Sequence, residues 1–176
     1  MTAEPGPDRD ANARAAGEAL ASRYREAEPA MRDLPVYNPA LSVAAIGFRA
    51  TDDDAIGVVV TPWFMNLVRI PAPGSAADAQ HGAVVSRALP AGVLDFTIGL
   101  LDGFGPVESC SLFSPMFGFA DQQAAETTAR AALAAVLDPN FAVDPKPEPA
   151  AHQPGAPAAA LDRRRFLRGA LSESRP

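Results

Sequence analysis

The sequence predicts an α+β domain, in which a mainly antiparallel sheet packs against an N-terminal helix and a second helix near residues 120–137. Three observations support this fold class. Apolar residues recur at three- and four-residue intervals in two segments, which is the spacing of an amphipathic helix. Six short runs rich in β-branched and aromatic residues lie between these segments. Several connections between the runs are too short to join parallel strands.

The first predicted element is a helix from about residue 8 to residue 30. Charged residues separate the apolar positions of this segment, so one side of the helix can pack on the sheet. Asp8 or Asp10 is a suitable N-cap, because a carboxylate accepts hydrogen bonds from the free N–H groups of the first turn. The apolar face is expected to consist of Ala16, Leu20, Tyr24 and Ala27.

Six strands are predicted after Leu34-Pro35. They are expected at residues 41–49, 56–61, 64–70, 84–89, 93–101 and 107–113. Thr51-Asp52-Asp53-Asp54 and Asp102-Gly103-Phe104-Gly105-Pro106 have the length and composition of hairpin connections, so their flanking strands should be antiparallel. Residues 71–81 form a longer connection, and nothing in it resembles a phosphate-binding fingerprint.

The last predicted element is a helix near residues 120–137. Glu126 and Arg130 lie on its polar side in the favourable i,i+4 order. The opposite side is apolar and should pack on one face of the sheet. The apolar positions are Ala125, Ala129, Ala132, Leu133, Val136 and Leu137.

Composition changes abruptly after the second helix. Residues 139–160 contain six Pro and seven Ala, which is typical of a linker. A basic tail follows at residues 161–176, with five Arg against Asp162 and Glu173. We therefore expect a disordered N-terminus at residues 1–10, one folded domain at residues 11–138, this linker and this tail.

The net charge of −6 combines an acidic body with a basic tail. The tail carries +3, so the preceding residues carry −9. An acidic body argues against nucleic-acid binding, which requires a basic face. No apolar stretch reaches the roughly 18–20 residues of a membrane span, and the N-terminus lacks the apolar core of a signal peptide. We expect a cytoplasmic protein with no stable membrane insertion.

Few residues are candidates for metal or catalytic chemistry. The sequence contains one cysteine, Cys110, and two histidines, His81 and His152. One cysteine excludes an internal disulfide and a CxxC-built metal site. A nucleophilic role for Cys110 requires a positioned base and a lowered pKa, so a buried structural thiol is the simpler interpretation. We expect no catalytic residue, no metal site and no cofactor.

Two groups of carboxylates have alternative interpretations. Asp52-Asp53-Asp54 either binds arginines or forms a solvated hairpin end. Asp95, Asp102 and Glu108 lie on or beside predicted strands in an apolar region. They either line a groove or face water on the open side of the sheet.

Two apolar segments are candidates for partner contact. Pro62 in Thr61-Pro62-Trp63-Phe64-Met65-Asn66-Leu67 cannot donate to a β-ladder, so this segment should lie at an edge or a break. Ser114-Pro115-Met116-Phe117-Gly118-Phe119 is apolar at a strand-to-helix connection, where loops are usually polar. Part of each segment must be buried, and the rest would form a docking surface. The expected contact residues are Trp63, Phe64, Met65, Asn66, Met116 and Phe117.

The tail contains Asp162-Arg163-Arg164-Arg165-Phe166-Leu167-Arg168, which has the residue order of a twin-arginine export signal. Such a signal lies at the N-terminus and is followed by an apolar stretch of about 7–15 residues, which residues 169–176 do not supply. The tail is therefore a mimic of a client's signal, a passive basic terminus, or an attachment to anionic lipid. Its expected contact residues are Arg163, Arg164, Phe166 and Leu167.

These segments together resemble the HybE/HupJ family of [NiFe]-hydrogenase assembly chaperones. The resemblance covers about residues 15–137 and the tail. Some family members carry a fused rubredoxin domain, which a chain with one cysteine cannot build. The matching segments are Tyr37-Asn38-Pro39-Ala40-Leu41-Ser42-Val43, Thr61-Pro62-Trp63-Phe64-Met65-Asn66-Leu67, Ser109-Cys110-Ser111-Leu112-Phe113-Ser114-Pro115-Met116, Phe119-Ala120-Asp121 and Arg163-Arg164-Arg165-Phe166-Leu167-Arg168-Gly169.

The resemblance implies a cytoplasmic chaperone that binds immature hydrogenase subunits and catalyses no reaction. The implied client is the small-subunit precursor with its twin-arginine signal, whose export is delayed until maturation. The large-subunit precursor and other maturation proteins are further implied partners. Two alternatives belong to other classes: a redox or oxygen-protection factor that acts through Cys110, and a peripheral membrane adaptor.

Overall fold

The computed structural model describes residues 7–52 and 54–141. Its eight elements are α1 (Pro7–Met31), β1 (Ala44–Thr51), β2 (Asp54–Val60), β3 (Met65–Ile70), β4 (Val84–Leu89), β5 (Gly92–Leu101), β6 (Gly105–Phe113) and α2 (Gln122–Val136). The predicted α+β class is confirmed. Asp53, the tail and all but residues 139–141 of the predicted linker lie outside the described residues.

The six strands form one antiparallel sheet in the order β1-β2-β3-β6-β5-β4. Each predicted strand corresponds to an observed one, with shifts of up to three residues at the ends. The β3–β6 pair joins the two halves of the sheet, and its register places Met65 opposite Phe113. At the other end of β6, Leu101 of β5 lies opposite Gly105.

The two helices cover opposite faces of the sheet. Ile56 and Val58 of β2 pack in the cluster that contains the buried side of α2. Val59 of the same strand packs in the cluster that contains Leu20 of α1. The predicted packing of α2 is confirmed, because its buried residues are five of the six expected ones and Leu137 is half-buried against the same cluster. These five are Ala125, Ala129, Ala132, Leu133 and Val136.

The packing face predicted for α1 is wrong in two positions. Ala27 is exposed and Ala16 is half-buried, whereas Leu20 and Tyr24 do pack on the sheet. The fully buried residues of α1 are Ala13, Gly17, Leu20 and Ala21. The face is therefore rotated toward small residues, which allow the helix to lie close to the strands.

Phe48 of β1 explains why α1 presents a glycine to the sheet. A Cβ added at Gly17 of α1 or at Gly57 of β2 would lie 2.4 Å from ring carbons of Phe48. The ring is therefore sandwiched between two glycines, and this contact fixes the height of α1 above the sheet. Helix propensity alone would favour alanine at position 17, so the glycine reflects packing.

The observed helix α1, Pro7–Met31, agrees with the helix predicted from about residue 8 to residue 30, but it overlaps the segment 1–10 that was expected to be disordered. Residues 7–10, which the sequence assigned to a disordered N-terminus, form its first turn. Pro7 is compatible with this position, because the first helical N–H groups have no partner within the helix. Asp10, predicted as a possible cap, instead accepts a 2.8 Å hydrogen bond from the backbone N–H of Ala50 in β1. That bond attaches the start of α1 to the sheet.

Replacing Gly17 by Ala should destabilise the fold by up to about 2 kcal/mol, because overpacking of Phe48 at a cost of about 1–3 kcal/mol outweighs a helix-propensity gain of about 1 kcal/mol. Urea denaturation measures the change. Gly118→Ala is the matched control, since nothing lies within 4 Å of a Cβ at that position, and it should change stability by less than about 0.5 kcal/mol. A Gly17→Ala protein as stable as the unmodified chain would contradict this packing argument.

Candidate partner-binding surface

A buried asparagine brings together three segments that are far apart in the sequence. Asn38 is only 8% exposed. Its Nδ2 donates to the carbonyl oxygens of Met116 at 3.1 Å and Phe119 at 3.0 Å. Its backbone N–H donates to the carbonyl oxygen of Pro62 at 2.9 Å, and its Oδ1 accepts from the N–H of Ala40 at 3.0 Å. We call these contacts the Asn38 junction.

The β2–β3 connection reaches the Asn38 junction in a tight turn. The Thr61 Oγ1 donates to the Phe64 carbonyl oxygen at 3.0 Å and accepts from the N–H groups of Trp63 and Phe64 at 3.2 and 2.9 Å. The Thr61 N–H donates to the same carbonyl oxygen at 2.8 Å. The predicted break at Pro62 is thus a turn closed by one threonine side chain.

Aromatic rings fill the space between this turn and α1. Trp63 stacks on Tyr37 with ring centroids 6.4 Å apart. Phe64 contacts Trp63 edge-on at 5.9 Å and Tyr24 edge-on at 5.2 Å. Edge-on and offset arrangements are the favoured geometries of aromatic pairs. These ring contacts connect the residues beside the Asn38 junction to Tyr24 of α1, so the junction is held by aromatic packing as well as by hydrogen bonds.

The predicted contact residues have different exposures in this arrangement. Phe117 is 59% exposed, and Phe64 and Asn66 are half-buried. Trp63 is 8% exposed, and Met65 and Met116 have no exposed surface. These three side chains support the fold here and do not present a surface for contact. Arg163, Arg164, Phe166 and Leu167 of the tail lie outside the described residues.

Two exposed apolar residues near the junction were missed by sequence reasoning. Leu34 is 44% exposed and Val36 is 37% exposed. Leu34 and Val36 shortly precede Asn38, and Phe117 follows Met116. Because Asn38 binds the Met116 carbonyl oxygen, these two segments lie at the same end of the sheet. The signal for Leu34 and Val36 was weak, because single apolar residues between helix and strand usually have no binding role.

Cys110 is a buried thiol of β6. Burial, assisted by the negative charge of Asp95, raises the pKa of Cys110 to about 11. The thiolate is the reactive form, so the thiol is poorly reactive at neutral pH. Cys110 and Leu112 both lie in the core cluster that includes the buried side of α2.

The carboxylate Glu108 of β6 is buried and paired with two arginines. Its Oε2 accepts from Arg69 Nη1 at 2.5 Å and from Arg87 Nε at 2.9 Å, and Arg69 also binds Asp54. Glu108 thus does not face water; it lies at the wall of a small cleft, where its charge is paired with arginines of this chain. Asp54 binds an arginine, as one interpretation of Asp52-Asp53-Asp54 required, but that arginine belongs to this chain. Asp95 and Asp102 are exposed.

A small cleft adjoins this charge network. Its volume is about 210 Å³, and its lining includes Asp78 of the β3–β4 connection together with Arg87 and Glu108. Arg87 already binds Glu108 within this cleft. Among residues 7–52 and 54–141, no group of three or more His, Cys, Asp or Glu side chains is placed to hold a metal ion. Within the same ranges, no helix has both the length and the apolar character needed to cross a membrane.

Several large apolar side chains of the described residues are exposed, and Leu34, Val36 and Phe117 are those beside the Asn38 junction. The chain belongs to the HybE family of [NiFe]-hydrogenase assembly chaperones, whose model matches residues 15–169. The match extends through Arg163–Gly169, the twin-arginine-like part of the tail. It confirms the family that the sequence motifs resemble.

A relative that aligns over most of this chain, a HupJ protein, agrees with this assignment. The chain is 49% identical over 170 residues to the hydrogenase expression/formation protein HupJ of Bradyrhizobium diazoefficiens, covering 96% of each chain. It is 37% identical over 117 residues to a probable rubredoxin HupJ of Rhodobacter capsulatus, covering 65% of this chain and 42% of that protein. The solution structure of HybE from Escherichia coli aligns with a TM-score of 0.44 at 23% identity, covering 69% of this chain and 76% of the other.

Replacing Glu108 by Gln should destabilise the fold by about 2–4 kcal/mol. Removing one partner of a buried ion pair costs about 3–5 kcal/mol, and the partial exposure of Arg87 lowers that value. The side chains of Arg69 and Arg87 are 14% and 41% exposed. Glu126→Gln removes an exposed helical pair with Arg130 and should cost at most about 0.5 kcal/mol. Equal urea midpoints for the two variants would contradict the role of the network.

The Glu108 carboxylate should also make stability depend on pH. Burial raises its pKa, but the hydrogen bonds and positive charges of Arg87 and Arg69 outweigh burial, so the pKa lies below its ordinary value. A lowered pKa contributes stability above the unfolded-state pKa of about 4.3, and this contribution is lost as pH falls through the folded-state pKa. Denaturation between pH 7 and 3 should show a smaller acid-dependent loss in Glu108→Gln than in the unmodified chain.

Proposed function

We propose that this protein is a cytoplasmic chaperone that binds immature [NiFe]-hydrogenase subunits and delays their export until maturation is complete. Its proposed primary client is the small-subunit precursor with its twin-arginine signal, and the large-subunit precursor and other maturation proteins are further candidates. Membership of the assembly-chaperone family carries this proposal. The exposed residues at the Asn38 junction and the composition of the tail support it.

The proposed client surface consists of Phe117, Leu34 and Val36, with half-buried Phe64 and Asn66 at its margin. Phe117 supplies the largest exposed apolar side chain among the described residues. Aromatic residues on rigid supports are the usual sources of binding energy at protein interfaces. Met65, Met116 and Trp63 are assigned a supporting role, because they hold the backbone of the two segments in place.

The proposed mechanism is differential binding. A chaperone holds a client until maturation if it binds the unfinished state more tightly than the finished one. A 100-fold difference in affinity corresponds to about 2.7 kcal/mol. One or two buried aromatic contacts can supply that difference, so a surface of this size is sufficient. Completion of the client would remove the exposed segment that the chaperone recognises.

The buried state of Cys110 favours this proposal over a redox factor. A sensor or nucleophilic cysteine is normally exposed and has a lowered pKa, whereas Cys110 has a pKa raised to about 11. Replacement of Cys110 by Ala should therefore leave hydrogenase maturation unchanged, after correction for any loss of chaperone stability. Loss of maturation in a stably folded Cys110→Ala chain would support the redox alternative.

Replacing Phe117 by Ala should weaken client binding by about 10- to 100-fold, which corresponds to about 1.4–2.7 kcal/mol. Binding of the small-subunit precursor can be measured by calorimetry or biolayer interferometry. Stability should change little, because the side chain is 59% exposed. The matched control is Leu100→Ala: Leu100 is 46% exposed and lies opposite Pro106, at the other end of the sheet. Equal affinity losses in both variants would contradict the proposed surface.

The role of the twin-arginine signal requires a separate comparison. Precursor and signal-stripped subunit should be measured against the full chain and against a chain lacking residues 160–176. If the tail mimics the signal, its removal should increase affinity for the precursor and leave affinity for the stripped subunit unchanged. Equal affinities in all four combinations would reject signal recognition, while binding to both subunit forms would still support a chaperone.

A further inference from the structure

The two edges of the sheet differ in how their backbone groups are protected. At the β1 edge, the Ala50 N–H donates to Asp10, and Arg25 Nη2 donates to the Val43 carbonyl oxygen at 3.3 Å. The β1 strand also has an irregular register between Ile46 and Arg49, beside Gly47 with φ of +64°. Side-chain bonds and bulges are common ways to prevent edge-to-edge pairing.

The β4 edge has no comparable protection among the described residues. The strand β4 pairs with β5 on one side, and Ala83 just before it accepts from the Ile98 N–H at 2.8 Å. Hydrogen bonds in an antiparallel ladder use alternate residues. The backbone groups of Val84, Ser86 and Ala88 therefore point away from β5, and no hydrogen bond to them is found within residues 7–52 and 54–141. A free edge of this kind accepts an added strand.

Apolar and acidic side chains lie near the free edge, together with Arg87 of β4, whose charge is paired with Glu108. Val84 and Val93 of the β4–β5 hairpin are each 64% exposed. Asp95 is exposed on β5, and Asp78 lines the cleft beside Arg87. The segment 51–141, which includes β4 and β5, is acidic overall, with ten acidic and three basic side chains, whereas residues 7–50 have six of each. An extended segment with basic and apolar residues fits this edge.

The C-terminal end of α2 lies beside the β4–β5 turn, at one end of this edge. The Val136 carbonyl oxygen at the end of α2 accepts from the N–H of Ala91, in the turn that joins β4 to β5. Residues 142–160 then separate Phe141 from the basic tail. A flexible chain of 19 residues spans about 24 Å, and a six-residue strand is about 20 Å long. The number of residues before the tail is therefore sufficient for the tail to reach β4.

We propose that the basic tail, residues 161–176, docks as an extended strand on the free edge of β4 in the same molecule. The tail carries +3 and contains Phe166 and Leu167 among its arginines, which matches the acidic and apolar character of the edge. In an extended strand, alternate residues point to opposite faces, so arginines are presented to both faces of the sheet. A client signal with the same residue order would compete for this edge, and only this last step rests on the proposed function.

Amide hydrogen exchange of the full chain tests the docking without any client. The amides of Val84, Ser86 and Ala88 should exchange at least about tenfold faster in a chain with Arg163→Gln, Arg164→Gln and Arg165→Gln than in the unmodified chain. A control with Arg14→Gln, Arg49→Gln and Arg130→Gln removes the same charge from the body and should preserve the protection. Equal exchange in the unmodified chain and the tail variant would overturn the proposal.

A pair of substitutions at one position tests strand addition itself. Ser86→Pro removes the outward N–H of β4, whereas Ser86→Ala retains it; proline is tolerated at strand edges where the N–H faces solvent. Nuclear magnetic resonance signals of Phe166 and Leu167 should shift to random-coil positions in Ser86→Pro and not in Ser86→Ala. If Ser86→Pro fails to fold, the tail variant decides alone. Protection that depends on chain concentration, or that requires added precursor, would assign the edge to a second copy or to a client and overturn the proposal.

Discussion

The side-chain amide of Asn38 organises the end of the sheet at which the three sequence motifs meet. Its two donors bind the carbonyl oxygens of Met116 and Phe119, almost eighty residues away. A buried carbonyl oxygen without a donor costs about 1–3 kcal/mol, so no apolar side chain could replace this amide without loss. The connection between β6 and α2 is therefore held rigidly, and Phe117 is displayed by a backbone that the core itself supports.

Two further sets of contacts, an ion-pair network in the sheet and the packing of one aromatic ring, stabilise the rest of the domain and so support the end of the sheet at Asn38. The Phe48 ring lies between two glycines and sets the position of α1. Glu108 and Asp54 together balance the charges of Arg69 and Arg87 within the sheet. The charged groups of Glu108, Arg69 and Arg87 are therefore bound to one another. The described domain consequently offers surfaces more than reactive groups, which agrees with its membership of an assembly-chaperone family.

The fold could be predicted because its elements have local signals. Alternating runs and turn residues located all six strands, and the apolar stripe of α2 was identified correctly. The face of α1 could not be predicted well, because Gly17 is a contact residue that has no side chain to mark it. The burial of Met65, Met116 and Trp63 could not be predicted from the neighbouring sequence either. Their burial depends on Asn38 and on rings from distant segments. The pairing of Glu108 with Arg69 across 39 positions has no local signal either.

Mapping the client-binding surface tests the central claim most directly. Isotope-labelled full-length chain can be titrated with unlabelled small-subunit precursor while its amide and methyl signals are observed. The account predicts shifts or broadening at Leu34, Val36 and Phe117, with no change at Leu100 at the opposite end of the sheet. Changes confined to the outer side of α2 or to the Leu100 end would contradict a client surface at the Asn38 junction.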